Sequence, residues 1–272
     1  MNRRGFTLVE LIVTMGVVAI LGTALAKLIL STSTFVARQE AELEARRTAR
    51  AAHNLIANDL RLITTAGVLA ATGTDIQLNV PYAWGVLCNE AGSETVASLM
   101  PVDSALFATA VPAVISWQLA DGSYQAGPQW LTVSPSGDLG ACTADSIRVV
   151  PGGQLVQIGA TGMAAPGTIF FLARAIRYRF QSSSVLPGRT GLFRTVDALP
   201  EEEIMTPFAS DAGFQFLLGT QLTAQVAPPT DLDSLQGLEV LLFAESEATP
   251  RGAPGPTRFE FDVRIKFANR GS

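Results

Sequence analysis

From Phe6 to Leu30 the chain is apolar almost without a break, with Glu10 its only acid and Lys27 its only base. About 20 apolar residues at 1.5 Å each cross a bilayer core. No proline interrupts the run, so the pattern predicts a membrane-length helix. The tetrad Ser31-Thr32-Ser33-Thr34 is polar but compatible with a continuing helix. From Phe35 to Ile63 the pattern turns amphipathic. Leu43, Leu55, Ile56, Leu60, Leu62 and Ile63 supply apolar positions, with alanines at 37, 41, 45, 49 and 52 between them. Glu40, Glu42, Glu44, Arg46, Arg47 and Arg50 read as a solvated face, with Glu42 and Arg46 at i,i+4 spacing. Phe6 to about Thr65 is therefore predicted as one helix roughly 90 Å long, ending near Gly67 and Gly73.

Beyond residue 74 the period drops to two. Ile76, Leu78 and Val80 alternate with Gln77 and Asn79, the pattern of a half-buried strand. Further strands are predicted at 114–119, 130–134, 147–150, 155–158, 169–180 and 214–218. Gly191-Leu192-Phe193-Arg194 pairs with 169–180 across Pro187-Gly188. The C-terminal hairpin joins Leu238–Ala244 to a strand in which Phe259, Phe261, Val263, Ile265 and Phe267 alternate with charged residues. One face of that strand is predicted to pack inward while the charged face protects the edge. The fold class is α+β, a long N-terminal helix packed on an antiparallel β-sheet head.

Composition adds bounds. The chain has 272 residues, enough after the apolar segment for one sizeable globular head. Arg3 and Arg4 precede the apolar run, so the positive-inside bias keeps the N-terminus cytoplasmic and sends the head outward. A cleaved secretory signal would need small residues at A-x-A positions after the run, and no clear site of that kind is present. A plain anchor explains the apolarity but not Glu10, because a carboxylate in a membrane segment costs roughly 2.5–3.5 kcal/mol and usually has a partner.

Arg3-Arg4-Gly5-Phe6-Thr7-Leu8-Val9-Glu10 resembles the processing motif of type IV prepilins and of type II secretion pseudopilins. The resemblance implies cleavage between Gly5 and Phe6 by a prepilin peptidase and N-methylation of Phe6. It implies that Glu10 meets the terminal amine of a neighbouring pilin during assembly. Residues 1–5 are then a leader, 6–30 the transmembrane and assembly helix, 31–66 its amphipathic continuation, and 67–272 the head. A weaker likeness to PilW/PulJ-type minor pilins covers residues 1–70 and roughly 168–270, and leaves 74–150 as an elaboration. Major pilins commonly carry a proline late in the apolar segment. Here no proline lies between Met1 and Val80, and Lys27 sits near its place.

The resemblance implies a bacterial inner-membrane protein with a periplasmic head, then a cell-surface pilus or a periplasmic pseudopilus. Cys88 and Cys142, both in the head, then lie where disulfides form, and we expect them to pair; two buried thiols are the alternative. The function expected is that of a minor pilin, with a minor pseudopilin or a tip adhesin as alternatives. Its partners would be the peptidase and other major and minor pilins. The net charge is −5, and becomes two units more negative without Arg3 and Arg4, which argues against nucleic-acid binding by the head.

Other candidate chemistry reads as structural. Gly152-Gly153 and Gly159 to Gly162 lack the Lys-Ser/Thr of a phosphate loop and read as turns. His53, the only histidine, has no ligand cluster beside it, and no catalytic site or metal is expected. Some pseudopilins use calcium, and Glu201-Glu202-Glu203 with Asp231 and Asp233 are the candidates here. Three adjacent acids cannot all face one ion, so a solvated loop is preferred. Tyr82, Trp84, Trp117 and Trp130 read as head core and sheet surface rather than as a binding platform.

Overall fold

The computed structural model describes residues 8–64, 67–107, 114–119, 122–129 and 132–267. One helix, α1 (Leu8–Arg61), runs unbroken for 54 residues, straight through the Ser/Thr tetrad. The predicted end near Thr65 lies outside the described residues. The amphipathic half docks differently from the pattern expected. Leu43 and Leu62 face solvent. The buried stripe is made of small residues instead, Ala41, Ala45, Ala49 and Ala52, at spacings of three and four. Side chains this short bring the helix axis close to the head. Ile56 and Leu60, both fully buried, anchor the last turns, each contributing roughly 1.5–3 kcal/mol by removal from water.

The chain then enters β1 (Val68–Ala71), β2 (Asp75–Ala91) and β3 (Glu94–Leu99), followed by a short helix α2 (Pro101–Phe107). Next come β4 (Val114–Gln118), β5 (Tyr124–Gln129), β6 (Val133–Pro135), helix α3 (Leu139–Ala144) and β7 (Gln154–Ile158). The second half holds β8 (Ile169–Ser182), β9 (Thr190–Val196), β10 (Glu202–Phe208), β11 (Gly213–Leu218) and β12 (Thr223–Gln225). The chain closes with β13 (Leu235–Leu241), β14 (Ala244–Glu245), β15 (Arg258–Phe259) and β16 (Asp262–Lys266). Every pairing is antiparallel, as the alternation predicted. Two sheets result. The larger has the order β15-β14-β10-β9-β8-β2-β3-β7-β6, with β1, β4 and β5 attached; the smaller runs β12-β11-β13-β16.

Several expectations are corrected. Residues 147–150 are not a strand but the loop leaving α3. The acidic run at 201–203 is not a free loop, because Glu202 opens β10 and Glu203 pairs opposite Phe193. Of the strand expected at 130–134, Trp130 and Leu131 lie outside the described residues, and β6 covers Val133–Pro135. The strand read from the alternation of Ile76, Leu78 and Val80 is β2, and it is longer than that pattern. It continues through Pro81 to Ala91, because Pro81 sits at an irregularity in the pairing between β2 and β8. Val80 lies opposite Arg174, whereas Ala83 lies opposite Leu172, so β2 carries one residue more than β8 over this step. The bulge moves the inward face of β2 from even positions to odd ones.

That strand pair runs through two cores. Below the bulge, Ile76, Leu78 and Val80 join Ile176, Tyr178 and Phe180, the α1 stripe and the aromatic residues of the small sheet, Phe214, Phe216 and Phe267. Above it, Ala83 and Leu87 join Phe170, Leu172, Trp117, Val156 and Phe107 of α2. Asp103 of α2 accepts a hydrogen bond at 3.1 Å from the Trp84 backbone N–H, which has left the β3 ladder. Gly85 permits the closest strand approach here, since a Cβ would come within 2.3 Å of the Ser98 carbonyl oxygen.

The lower core contains a buried carboxylate. Asp59, on the last turn of α1, accepts a hydrogen bond from the Tyr178 hydroxyl at 2.6 Å and from the Arg194 guanidinium at 3.0 Å. Burial, then the charge of Asp59, pushes the Tyr178 hydroxyl far above its ordinary pKa, so it remains a donor. Three elements, α1, β8 and β9, meet at this atom. On the outer face, Arg177 and Arg179 both donate to Asp75. Burial works against the Asp75 carboxylate, but the two guanidinium groups outweigh it and hold the carboxyl below its usual range.

Replacing Asp59 with Leu should cost on the order of 3–5 kcal/mol, because Arg194 and the Tyr178 hydroxyl are left buried without their acceptor. Chemical unfolding of the detergent-solubilised chain, followed by circular dichroism, measures it; a cost below about 1 kcal/mol would contradict the role given to this carboxylate.

Candidate functional site

Residues 8–33 of α1 lie outside the packed head. Every one of them is exposed, with Leu8 at 77 % and Ile20 at 71 %. The most apolar 18-residue window of α1 has a mean hydropathy of 2.3 and no part of it is buried. Measured from the first docked alanine, Ala41, the helix projects roughly 50 Å beyond the head. Large apolar side chains on all sides of a helix imply a non-aqueous surrounding.

The polar residues of this segment fit that surrounding. The Thr14 hydroxyl donates to the carbonyls of Glu10 and Leu11, both at 2.9 Å. Thr23 donates to Ile20, Thr32 to Leu28, Ser33 to Leu30 and Thr34 to Ser31. Each hydroxyl is satisfied by its own helix, so it adds no unmet hydrogen bond when lipid or another helix covers the surface. The tetrad therefore does not mark the edge of the apolar segment as sharply as its composition suggests. Glu10 lies exposed in the first turns of the described helix. Lys27 sits about 25 Å further along the axis, so the acid and the base of this segment mark different levels. Gly5 and Phe6 lie outside the described residues.

In the head, Cys88 of β2 and Cys142 of α3 form a disulfide with a Cα–Cα distance of 4.7 Å. They lie in a small third core with Val96 and Leu155. These strand residues alternate with the Ala97 and Val156 of the upper core, so α3 covers the opposite face of the same strands. Asp138 caps α3 by accepting from the Gly140 N–H at 2.9 Å.

The remaining candidates are absorbed by structure. Trp117 is buried in the upper core, Tyr82 is half-buried beneath Arg174, and Trp84 is 40 % exposed; Trp130 lies outside the described residues. His53 is half-buried, edge-on to Phe261 at 5.5 Å, and burial lowers its pKa, with Arg61 adding to the effect. Glu203 accepts from the Ser183 hydroxyl and from the Ser184 N–H at 2.7 Å. Burial opposes the charge on Glu203, but these hydrogen bonds prevail and hold its carboxyl below the ordinary range. Glu201 accepts from Gln181 at 2.9 Å, and Asp231 caps the 3-10 turn at Leu232–Ser234 through the Asp233 N–H. Among the described residues, no three acids, histidines or cysteines converge as metal ligands. Sequence reasoning missed the Asp59 carboxylate as a structural centre. Its signal was an acid on the buried side of the alanine stripe.

Replacing Cys88 and Cys142 with serine should cost roughly 2–5 kcal/mol. Hydrogen exchange should quicken over α3 and β7 while α1 and β13 keep their protection; uniform loosening of both would contradict a local staple.

No curated protein and no solved structure matches the chain. Residues 1–26 match the prokaryotic N-terminal methylation motif, a match confined to the start of the chain.

Proposed function

We propose that the chain is a minor pilin, a structural subunit that takes part in initiating or tipping a type IV pilus. The observation that carries this reading is the bare apolar helix with Glu10 near its start, joined to a head that leaves residues 8–33 uncovered. The methylation motif over residues 1–26 supports it. In this reading, a prepilin peptidase cuts between Gly5 and Phe6 and Phe6 is methylated. The free helix waits in the inner membrane with the head in the periplasm, and extraction into the filament buries the same apolar surface against other pilins.

Glu10 gives that transfer its register. A carboxylate in hydrocarbon is costly, and a neighbouring subunit's terminal amine at the same depth offsets the cost. Cleavage after Gly5 creates this chain's own α-amine, which can serve the next subunit in turn. A minor rather than a major role is supported by the length of 272 residues and by the absence of proline between Met1 and Val80.

Gly5→Leu should leave the leader attached, seen as an intact N-terminal peptide by mass spectrometry; normal processing would refute the site. Glu10→Ala should be processed normally yet co-purify with filaments about tenfold less. Undiminished co-purification would remove the proposed role. Deletion should abolish twitching, adhesion or DNA uptake, whereas a loss of protein secretion alone would move the subunit to a pseudopilus.

A further inference from the structure

On the solvent side of α1, Arg47, Arg50, Asn54, Asn58 and Arg61 are all exposed and follow one another at spacings of three and four. That spacing places them in one stripe on the helix surface, about 21 Å long. No acid lies in it. Among the described residues, Arg47, Arg50 and Arg61 enter no ion pair, although Arg46 beside them is paired with Glu42 and seven of the chain's guanidinium groups have carboxylate partners. Acids are not scarce, since the chain has 24 of them against 19 lysines and arginines. The folded head leaves this line of positive charge unmatched, as it does Arg38, Arg148, Arg174 and Arg251 elsewhere among the described residues.

A groove of about 450 Å³ opens beside the upper end of the stripe. Arg47, Thr48 and Ala51 of α1 form one wall, and Ile204, Met205 and Thr206 of β10 form the other. Glu203 borders it, but the carboxylate is held by Ser183 and Ser184. On the side away from β9, β10 pairs with β14 at Phe208, and among the described residues no strand lies beside Glu202 to Thr206 there. The site thus combines an apolar floor, a strand edge and a basic rim.

We infer that this groove and stripe dock an extended acidic segment of a neighbouring protein subunit, with an apolar side chain over Ala51 and Met205 and carboxylates against Arg47 and Arg50. A strand edge and alternate side-chain pockets suit an extended peptide. Charge complementarity selects an acidic one. A nucleic-acid backbone would match the arginines but not the apolar floor, and it would approach a chain of net charge −5. The inference rests on the proposed assembly with other subunits and adds which face of this chain meets one of them.

A photo-crosslinking amino acid in place of Ala51, in the full-length chain in intact cells, tests it. The expected result is an adduct with a second polypeptide, mapped by mass spectrometry to a segment containing Asp or Glu. Its yield should fall about tenfold in R47E/R50E and persist in R47K/R50K. An adduct indifferent to charge reversal, an adduct with lipid or nucleic acid, or no adduct from a chain that is present in filaments would overturn the docking site alone. Absence of the unmodified chain from filaments would overturn the assembly reading, and the docking site with it.

Discussion

A carboxylate removed from water at the end of the long helix sets the terms for the rest of the head. Asp59 can remain buried only while Tyr178 and Arg194 both reach it, and those two residues sit on neighbouring strands whose register brings Tyr178 opposite Arg194. The alanine stripe contributes contact but little direction, because methyl groups slide. The buried charge supplies direction, since displacement along the helix by one turn would strand it. The head and helix are thereby fixed in one alignment, and the helix leaves the head at a defined point with its apolar length free.

The two ends of the chain were the most legible. A run of apolar residues with one acid is the pattern of a single helix. The alternation from Phe259 to Phe267 also sets the inward face correctly, but the single strand expected there is two, β15 in the larger sheet and β16 in the smaller, because the chain crosses between sheets at Glu260 and Phe261. The long helix, the 169–182 strand and its partner, and the C-terminal pairing all followed from period and turn residues. Legibility failed where tertiary structure overrides a local cue. The alternation read at Ile76 to Val80 does not carry past Pro81, where a bulge shifts the inward face and lets β2 proceed into a second core. Leu43 and Leu62 outrank alanine on any hydropathy scale, yet alanine is buried because the helix must approach the head closely. Ile147 to Val150 has strand composition but leaves a helix tied down by a disulfide.

The candidate site divides in the same way. Glu10 stands out by composition alone, one acid in an apolar field. The arginine stripe does not, because Arg46, Arg47 and Arg50 look alike until the fold shows which of them is paired. Acids at 201–203 suggest a cation site by their number, but β-strand geometry sends successive side chains to opposite faces and hands Glu203 to two serines.

The pairing of β2 with β8 has a consequence for how the molecule is made. Residues 75–86 find their main partner only in residues 169–179, roughly ninety positions later in the chain. Synthesis proceeds from the N-terminus, so a long apolar strand is exposed with short β1 and β3 as interim neighbours until that later segment arrives. Contacts of such separation form slowly, and open strands invite intermolecular pairing. Both cores share this pair, so neither half of the head can finish early and shield the other. The nascent head is at its most vulnerable just before its middle is completed.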